Sequence, residues 1–248
     1  MRKTLRIAAA LVTAATVALC FCIPSAARAA GEEATLLFAG DVMMHQTQLD
    51  NHRNGNAYDF KADYDYIRAI VSKADIALAN FEMTMSGKTP YKGYPRFNAP
   101  DTITDALAYA GFDVMATANN HIRDTKDEGF FRTTQLLRDK GFTVIGTKAD
   151  ENQKTYAVIE KNGIKIGFGN FTSHVNAGLS EATKGLINVF SCGRFEQAML
   201  KVKAEIDAMR ADGAEFIVMV MHWGAEYQLK NNAWEQKIAR RLADYGAD

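Results

Sequence analysis

The stretch Ala116–Gly129, ATANNHIRDTKDEG, sets Asn119, Asn120, His121 and Asp124 directly after an apolar run. Three other apolar runs end on residues of the same kinds. Asp41 follows TLLFAG, Asn80-Phe81-Glu82 follows IALA, and His222-Trp223-Gly224-Ala225-Glu226 follows IVMVM. Carboxylate and amide oxygens with imidazole nitrogens, and no thiolate, suit a divalent ion such as Mn, Fe or Zn. A carboxylate between two ions could bridge them. A two-metal site clamps the attacking and leaving oxygens of an in-line displacement and supplies a hydroxide near neutral pH. A histidine nearby that is not a ligand could protonate the leaving group.

Each residue taken singly has a plainer explanation. Asp41 could close a turn after Gly40, and Glu82 could be a surface charge. Asn119 and Asn120 are common turn residues, Asp124 could cap the turn after them, and His222 could be a satisfied core histidine. Four separate apolar runs all ending on ligand-type residues weakens that explanation. The other histidines carry less: His45 could swing back from four residues past Asp41, His174 also ends an apolar run, and His52 sits among polar residues and reads as solvated. Trp223 and Trp234 read as packing. The segment Tyr91–Pro100, YKGYPRFNAP, could line a pocket for an anionic substrate or pack down as a loop.

The elements that would hold these side chains alternate. Strands are expected at Thr35–Gly40, Ile76–Asn80, Asp113–Asn119 and Phe142–Gly146, and helices at Asp63–Ala74, Asp101–Gly111 (with Asp101 as its cap) and Asp127–Gly141. Lys161-Asn162-Gly163 between two strand-like runs predicts a hairpin. A loop-rich stretch from His174 to Gly193, a long amphipathic helix over Arg194–Gly213, the most buried-looking strand over Glu215–Gly224 and a helix over Asn231–Gly246 follow. Alternating strands and helices predict a largely parallel sheet with helices on its faces, and the hairpin makes the sheets mixed. The expectation is one α/β domain with its ligand site at the carboxyl ends of the strands.

The 248 residues include 29 basic and 29 acidic side chains. Arg2, Lys3 and Arg6, an apolar stretch from Ile7 to Ile23 and Ala27-Arg28-Ala29 form a secretory signal pattern over residues 1–29. The alternative is an uncleaved membrane anchor, at the lower limit of spanning length. Cys20 and Cys22 lack the small residues that precede a lipidation cysteine. Removing the leader takes four basic residues and leaves a formal charge of −4, which gives no electrostatic footprint for nucleic acid. Cys192 alone would remain, so the mature monomer has no internal disulfide. The expected location is periplasmic or cell-surface.

The order FAGDVM, ALANFEMTMS, FNAP…ALAYAGFDVMATANNHIRD, GIKIGFGNFT and VMVMHWGAEY resembles the bacterial CapA family, from about Thr35 to Gly246. That family is linked to poly-γ-glutamate capsule biosynthesis and export and is related to calcineurin-like metallophosphoesterases. The resemblance implies an α/β/β/α sandwich with a metal site at the strand ends. It implies Asp41, Glu82, Asn120 and His222 as metal ligands, Glu82 with Asn80 standing at the bridging position. His121 matches the catalytic histidine, and Asp124 is placed to orient it or its loop; His174 and Glu226 are further site candidates. Two departures stand out. Met43 occupies the position of a usual histidine ligand, and the chain stops at ADYGAD, before the late Gly-His-x-His-type motif, which reads as a C-terminal truncation. The functions implied are a metal-dependent hydrolase acting on a phosphoester or on the γ-amide of an anionic capsule polymer, a non-catalytic assembly component that binds polymer or a membrane synthase, or a secreted metal-dependent phosphoesterase outside capsule synthesis.

Overall fold

The computed structural model describes residues 33–191 and 194–248, so the leader and Cys192 lie outside the described residues. β1 (Leu36–Val42) leads to α1 (Gln46–Asn51), a small hairpin of β2 (Arg53–Asn54) and β3 (Ala57–Tyr58), and α2 (Asp65–Val71). β4 (Ile76–Phe81), α3 (Thr102–Ala110), β5 (Val114–Ala116), α4 (Lys126–Asp139) and β6 (Thr143–Ile145) continue the alternation. β7 (Ala157–Lys161), β8 (Ile164–Thr172), α5 (Phe195–Ala211), β9 (Phe216–His222) and α6 (Ala233–Asp244) follow. The result is a mixed α/β fold with several sheets. β1-β4-β5-β6 form a fully parallel sheet. In the second sheet, β7-β8-β9, the first pair is antiparallel and the second parallel.

Strand periodicity explains how one segment serves two cores. In β4, Ala77, Ala79 and Phe81 pack with Val71, Ile103, Leu107 and Leu137 from the helices. Ile76 and Leu78, pointing the other way, pack with Val114 and Ile145 and with Ile166, Phe168, Val218 and Val220 of the second sheet. Met199, Val202 and Ile206 of α5 and Ile238 and Leu242 of α6 pack with Phe171 and Ile217. Strands covered on both faces need apolar residues at every position, and β4 is buried along its whole length. The expectation that Glu215–Gly224 is the most deeply buried strand is overturned. Among the described residues β9 stands at the edge of its sheet and is mostly half-buried, with Phe216 exposed.

The hairpin forms as its sequence dictates: Asn162 and Gly163 take φ of 51° and 77° between paired Lys161 and Ile164, the left-handed pair of a two-residue turn. Asp101 precedes α3 but makes no cap hydrogen bond; its carboxylate accepts from Arg132 Nη1 at 2.7 Å. α1 and the β2–β3 hairpin were not expected from the sequence, being too short to show a period. His52, expected to be solvated, is instead held: Nδ1 lies 2.8 Å from the Gln48 carbonyl, Nε2 lies 2.8 Å from Asp63, and the ring packs on Phe60.

One irregularity positions the site. Phe38 pairs with Leu78, but Asp41 pairs with Asn80, so β1 carries one extra residue around Gly40. In β1, Leu37 and Ala39 face the helices and Leu36 faces the second sheet. A regular strand would send Asp41 after Leu37 and Ala39; the bulge shifts it into line with Asn80 on the opposite face.

Candidate metal centre

A cavity of about 370 Å³ opens at the carboxyl ends of β1, β4 and β9 and the turn after β5. Asp41, Glu82, Asn120, His121, His174, His222 and Glu226 line it. The strand ends therefore converge, though from two sheets rather than one, with His222 arriving from the second. Ligand atoms of Asp41, Glu82 and His222 all lie within 4.8 Å of one another. Asn120 Oδ1 lies 2.8 Å from His222 Nε2, and that nitrogen lies 3.8 Å from Glu82 Oε1. These groups can coordinate a metal ion, and their hard oxygens with one imidazole suit a divalent cation. Glu226 is exposed at the rim, and His174 contacts Ser173 at 3.1 Å. His45 also lines the cavity and packs edge-on against Phe97. Met43 lines the wall where the resemblance led one to expect an imidazole.

Asn80 ties the carboxylates together from behind. Its Nδ2 donates to Asp41 Oδ1 at 2.7 Å and Glu82 Oε2 at 2.9 Å, and lies 3.2 Å from His222 Nδ1. Nδ2 carries two hydrogens for these three neighbours, and the two carboxylate oxygens lie nearest. Asn119, fully buried, holds Asn80 Oδ1 at 3.1 Å and the Phe81 carbonyl at 2.8 Å. On the far side, Asp124 Oδ2 sits 2.6 Å from His121 Nδ1 and also accepts the Phe97 N–H at 2.7 Å. A carboxylate that only accepts fixes the hydrogen on Nδ1 and leaves Nε2 facing the cavity; Nε2 is 4.0 Å from Glu82 Oε1.

Burial, and after it the charge of Asp41, pushes Glu82 up to about 8, so the carboxyl holds a proton at neutral pH in the absence of an ion. Burial also pushes His222 down, keeping its imidazole neutral and able to ligate.

Sequence reasoning missed Asn170. It is wholly buried in β8; its Oδ1 accepts the Ala118 N–H at 2.7 Å and its Nδ2 donates to the Val220 carbonyl at 2.9 Å. One amide thus joins the segment just before Asn119-Asn120-His121 to the strand that carries His222. Gly146 makes room for it, since a Cβ there would fall 2.1 Å from Asn170 Oδ1. The signal was present as a lone polar residue inside the apolar run IGFGNF. Asn170→Leu is expected to lower stability by about 2–4 kcal/mol, because two buried backbone groups lose their partners. Urea denaturation measures this, and a loss under 1 kcal/mol would refute the bridging role.

Parallel strands that deliver carboxylates, amides and imidazoles from their carboxyl ends into one cavity define an α/β protein with a candidate metal centre. The chain belongs to the bacterial capsule synthesis protein PGA_cap family, whose profile matches residues 35–248. It is 28% identical to the capsule biosynthesis protein CapA of Bacillus anthracis over 227 residues, covering 88% of this chain and 53% of that protein. It is 23% identical to the PGA biosynthesis protein CapA of Bacillus subtilis (strain 168) over 218 residues, covering 85% and 54%. A shorter match, 27% over 131 residues, is to the uncharacterized protein y4sH of Sinorhizobium fredii, covering 50% and 26%. The chain spans about half the length of the two CapA proteins. Among the described residues no helix is long and apolar enough to cross a membrane.

Proposed function

We propose that this chain works in capsule or poly-γ-glutamate biosynthesis as an exported, metal-dependent hydrolase acting on a phosphoester or on an anionic polymer. The observation that carries the reading is the convergence of Asp41, Glu82 and His222 ligand atoms within 4.8 Å in an open cavity. Asn120 completes the set beside His222. The layering supports an α/β/β/α sandwich of the metallophosphoesterase type: one cluster lies between the two sheets and helices cover their outer faces. The basic start, apolar run and Ala27-Arg28-Ala29 support export.

Bound there, one or two Mn, Fe or Zn ions would supply Lewis-acid charge and an activated water. The chain's own groups do the rest. His121, oriented by Asp124, gives a proton from Nε2 to the leaving oxygen, and Asp124 stabilises the imidazolium that holds it. Asn80 and Asn119 keep the carboxylates in place without adding charge. His222, neutral through burial, needs no deprotonation to ligate.

A second reading, a non-catalytic assembly component that binds polymer or a membrane synthase, is favoured by Met43 in the cavity wall, which leaves fewer ligands than two ions require. Elemental analysis of the purified full chain separates the two. The hydrolase reading expects at least one equivalent of transition metal, a several-degree fall in Tm on chelation, and metal-dependent hydrolysis of p-nitrophenyl phosphate or of the polymer. Protein that binds no Mn, Fe or Zn and is not stabilised by them would leave the assembly reading standing.

A further inference from the structure

Among the described residues, no lysine or arginine lines the metal-site cavity. A second cavity of about 620 Å³ adjoins it and is lined by Arg96, Arg123 and Lys126 together with Asp124, Asp127 and Asn176. The two cavities have no lining residue in common, but residues adjacent in the chain or hydrogen-bonded to each other line one and the other. Tyr94 and Phe97 line the first and Arg96, between them in sequence, lines the second. His174 lines the first and Asn176 the second, with the Asn176 N–H donating to the Asn120 carbonyl at 2.8 Å. His121 faces the metal cavity while its partner Asp124 reaches the second.

The charges in this second cavity do not cancel. Asp127 accepts from Arg123 and from Ser180. Asp124 is taken up by His121 and the Phe97 N–H. Arg96 and Lys126 are exposed and make no side-chain hydrogen bond or ion pair among the described residues. Lys126 also takes φ of 65°, a region where an L side chain is uncommon outside Asn and Asp. Three cations against two carboxylates leave an excess of positive charge beside a cavity whose reacting end is acidic, and Arg96 and Lys126 are the two cations without a side-chain partner.

We propose that the Arg96–Lys126 cavity is a subsite for an anionic group, carboxylate or phosphate, of an extended substrate whose reacting group lies at Asp41, Glu82 and His222. It rests on the hydrolase reading for the reacting end but not for anion binding itself. A linear polyanion would cross the exposed Tyr94 rim and be held by charge at a point remote from the chemistry, which favours chains over single units.

The test uses the full chain, fluorescence anisotropy with a fluorescein-labelled deca-glutamate peptide, and tripolyphosphate as competitor. The Arg96→Gln/Lys126→Asn double variant is expected to bind the peptide about tenfold more weakly, with a flatter salt dependence. Its metal content and its turnover of p-nitrophenyl phosphate should match the parent. The same tenfold factor should appear in an Asp41→Asn background, so failure of the metal reading leaves the subsite measurable. Binding of tripolyphosphate without the peptide, still lost in the double variant, would keep the subsite and make its anion phosphoryl. If neither probe binds, or the double variant binds both as the parent does, the proposal is wrong.

Discussion

Glu82→Gln is expected to weaken metal binding at least about 100-fold while making the metal-free protein more stable at pH 8. The first effect follows from removing a charged ligand, when even groups that only support a ligand are worth about 10–100-fold. The second follows from linkage. Glu82 in the folded chain titrates at about 8, far above the usual 4.5. A raised folded-state value stabilises fully below the unfolded value and is lost as pH rises through the folded one. Between roughly pH 4.5 and 8 the folded state keeps a proton the unfolded state has released, so wild-type stability drains away across that window. Glutamine, equal in shape and uncharged, removes this slope. The gain at pH 8 should be about 2 kcal/mol, less than the whole shift would give because solvent reaches the cavity side of the carboxyl. Urea titrations of both proteins at pH 5, 6.5 and 8 without metal test it. Parallel pH dependences in the two would show that Glu82 does not carry the proton. Metal should stabilise the wild type more at pH 8 than at pH 5, because binding must displace that proton.

His121→Ala is expected to lower kcat by about 10²–10⁴, the usual worth of a positioned acid, with metal content unchanged. Its Nδ1 is held by Asp124 at 2.6 Å and its Nε2 faces the cavity, so the ring is set to transfer a proton rather than to close the ligand set. Asp124→Asn should cost less and should also loosen the Tyr91–Pro100 segment, since the same carboxylate oxygen accepts the Phe97 N–H. Full activity in both His121→Ala and Asp41→Asn would end the hydrolase reading.

Much of this was legible before any coordinates. The runs Thr35–Gly40, Ile76–Asn80 and Phe142–Gly146 stand as strands because apolar stretches bounded by polar and glycine residues have few other ways to be buried. Helices α3 to α6 followed from their 3.6-residue spacing, within a residue or two at most ends. The burial of β9 was misjudged because hydrophobicity reports what a strand can bury, while its place at the sheet edge among the described residues is a property of topology. His52 was misjudged because its partners, Gln48 and Asp63, belong to short elements with no period to read.

The sequence by itself determined which residues stand at the ends of the apolar runs: Asp41, Glu82, Asn120, His121 and His222, with Asp124 three residues beyond His121. Local chemistry is enough for that, since apolar periodicity sets the strand and the first polar residue past it sets the rim. Only the tertiary structure decided that these ends meet. His222 comes from a different sheet than the others, and that distance is set by inter-sheet packing and by the Asn170 amide between Ala118 and Val220. Asp41 reaches the site because one extra residue in β1 turns it to the inner face. Such pairings depend on register and on contacts far apart along the chain, which local spacing does not encode.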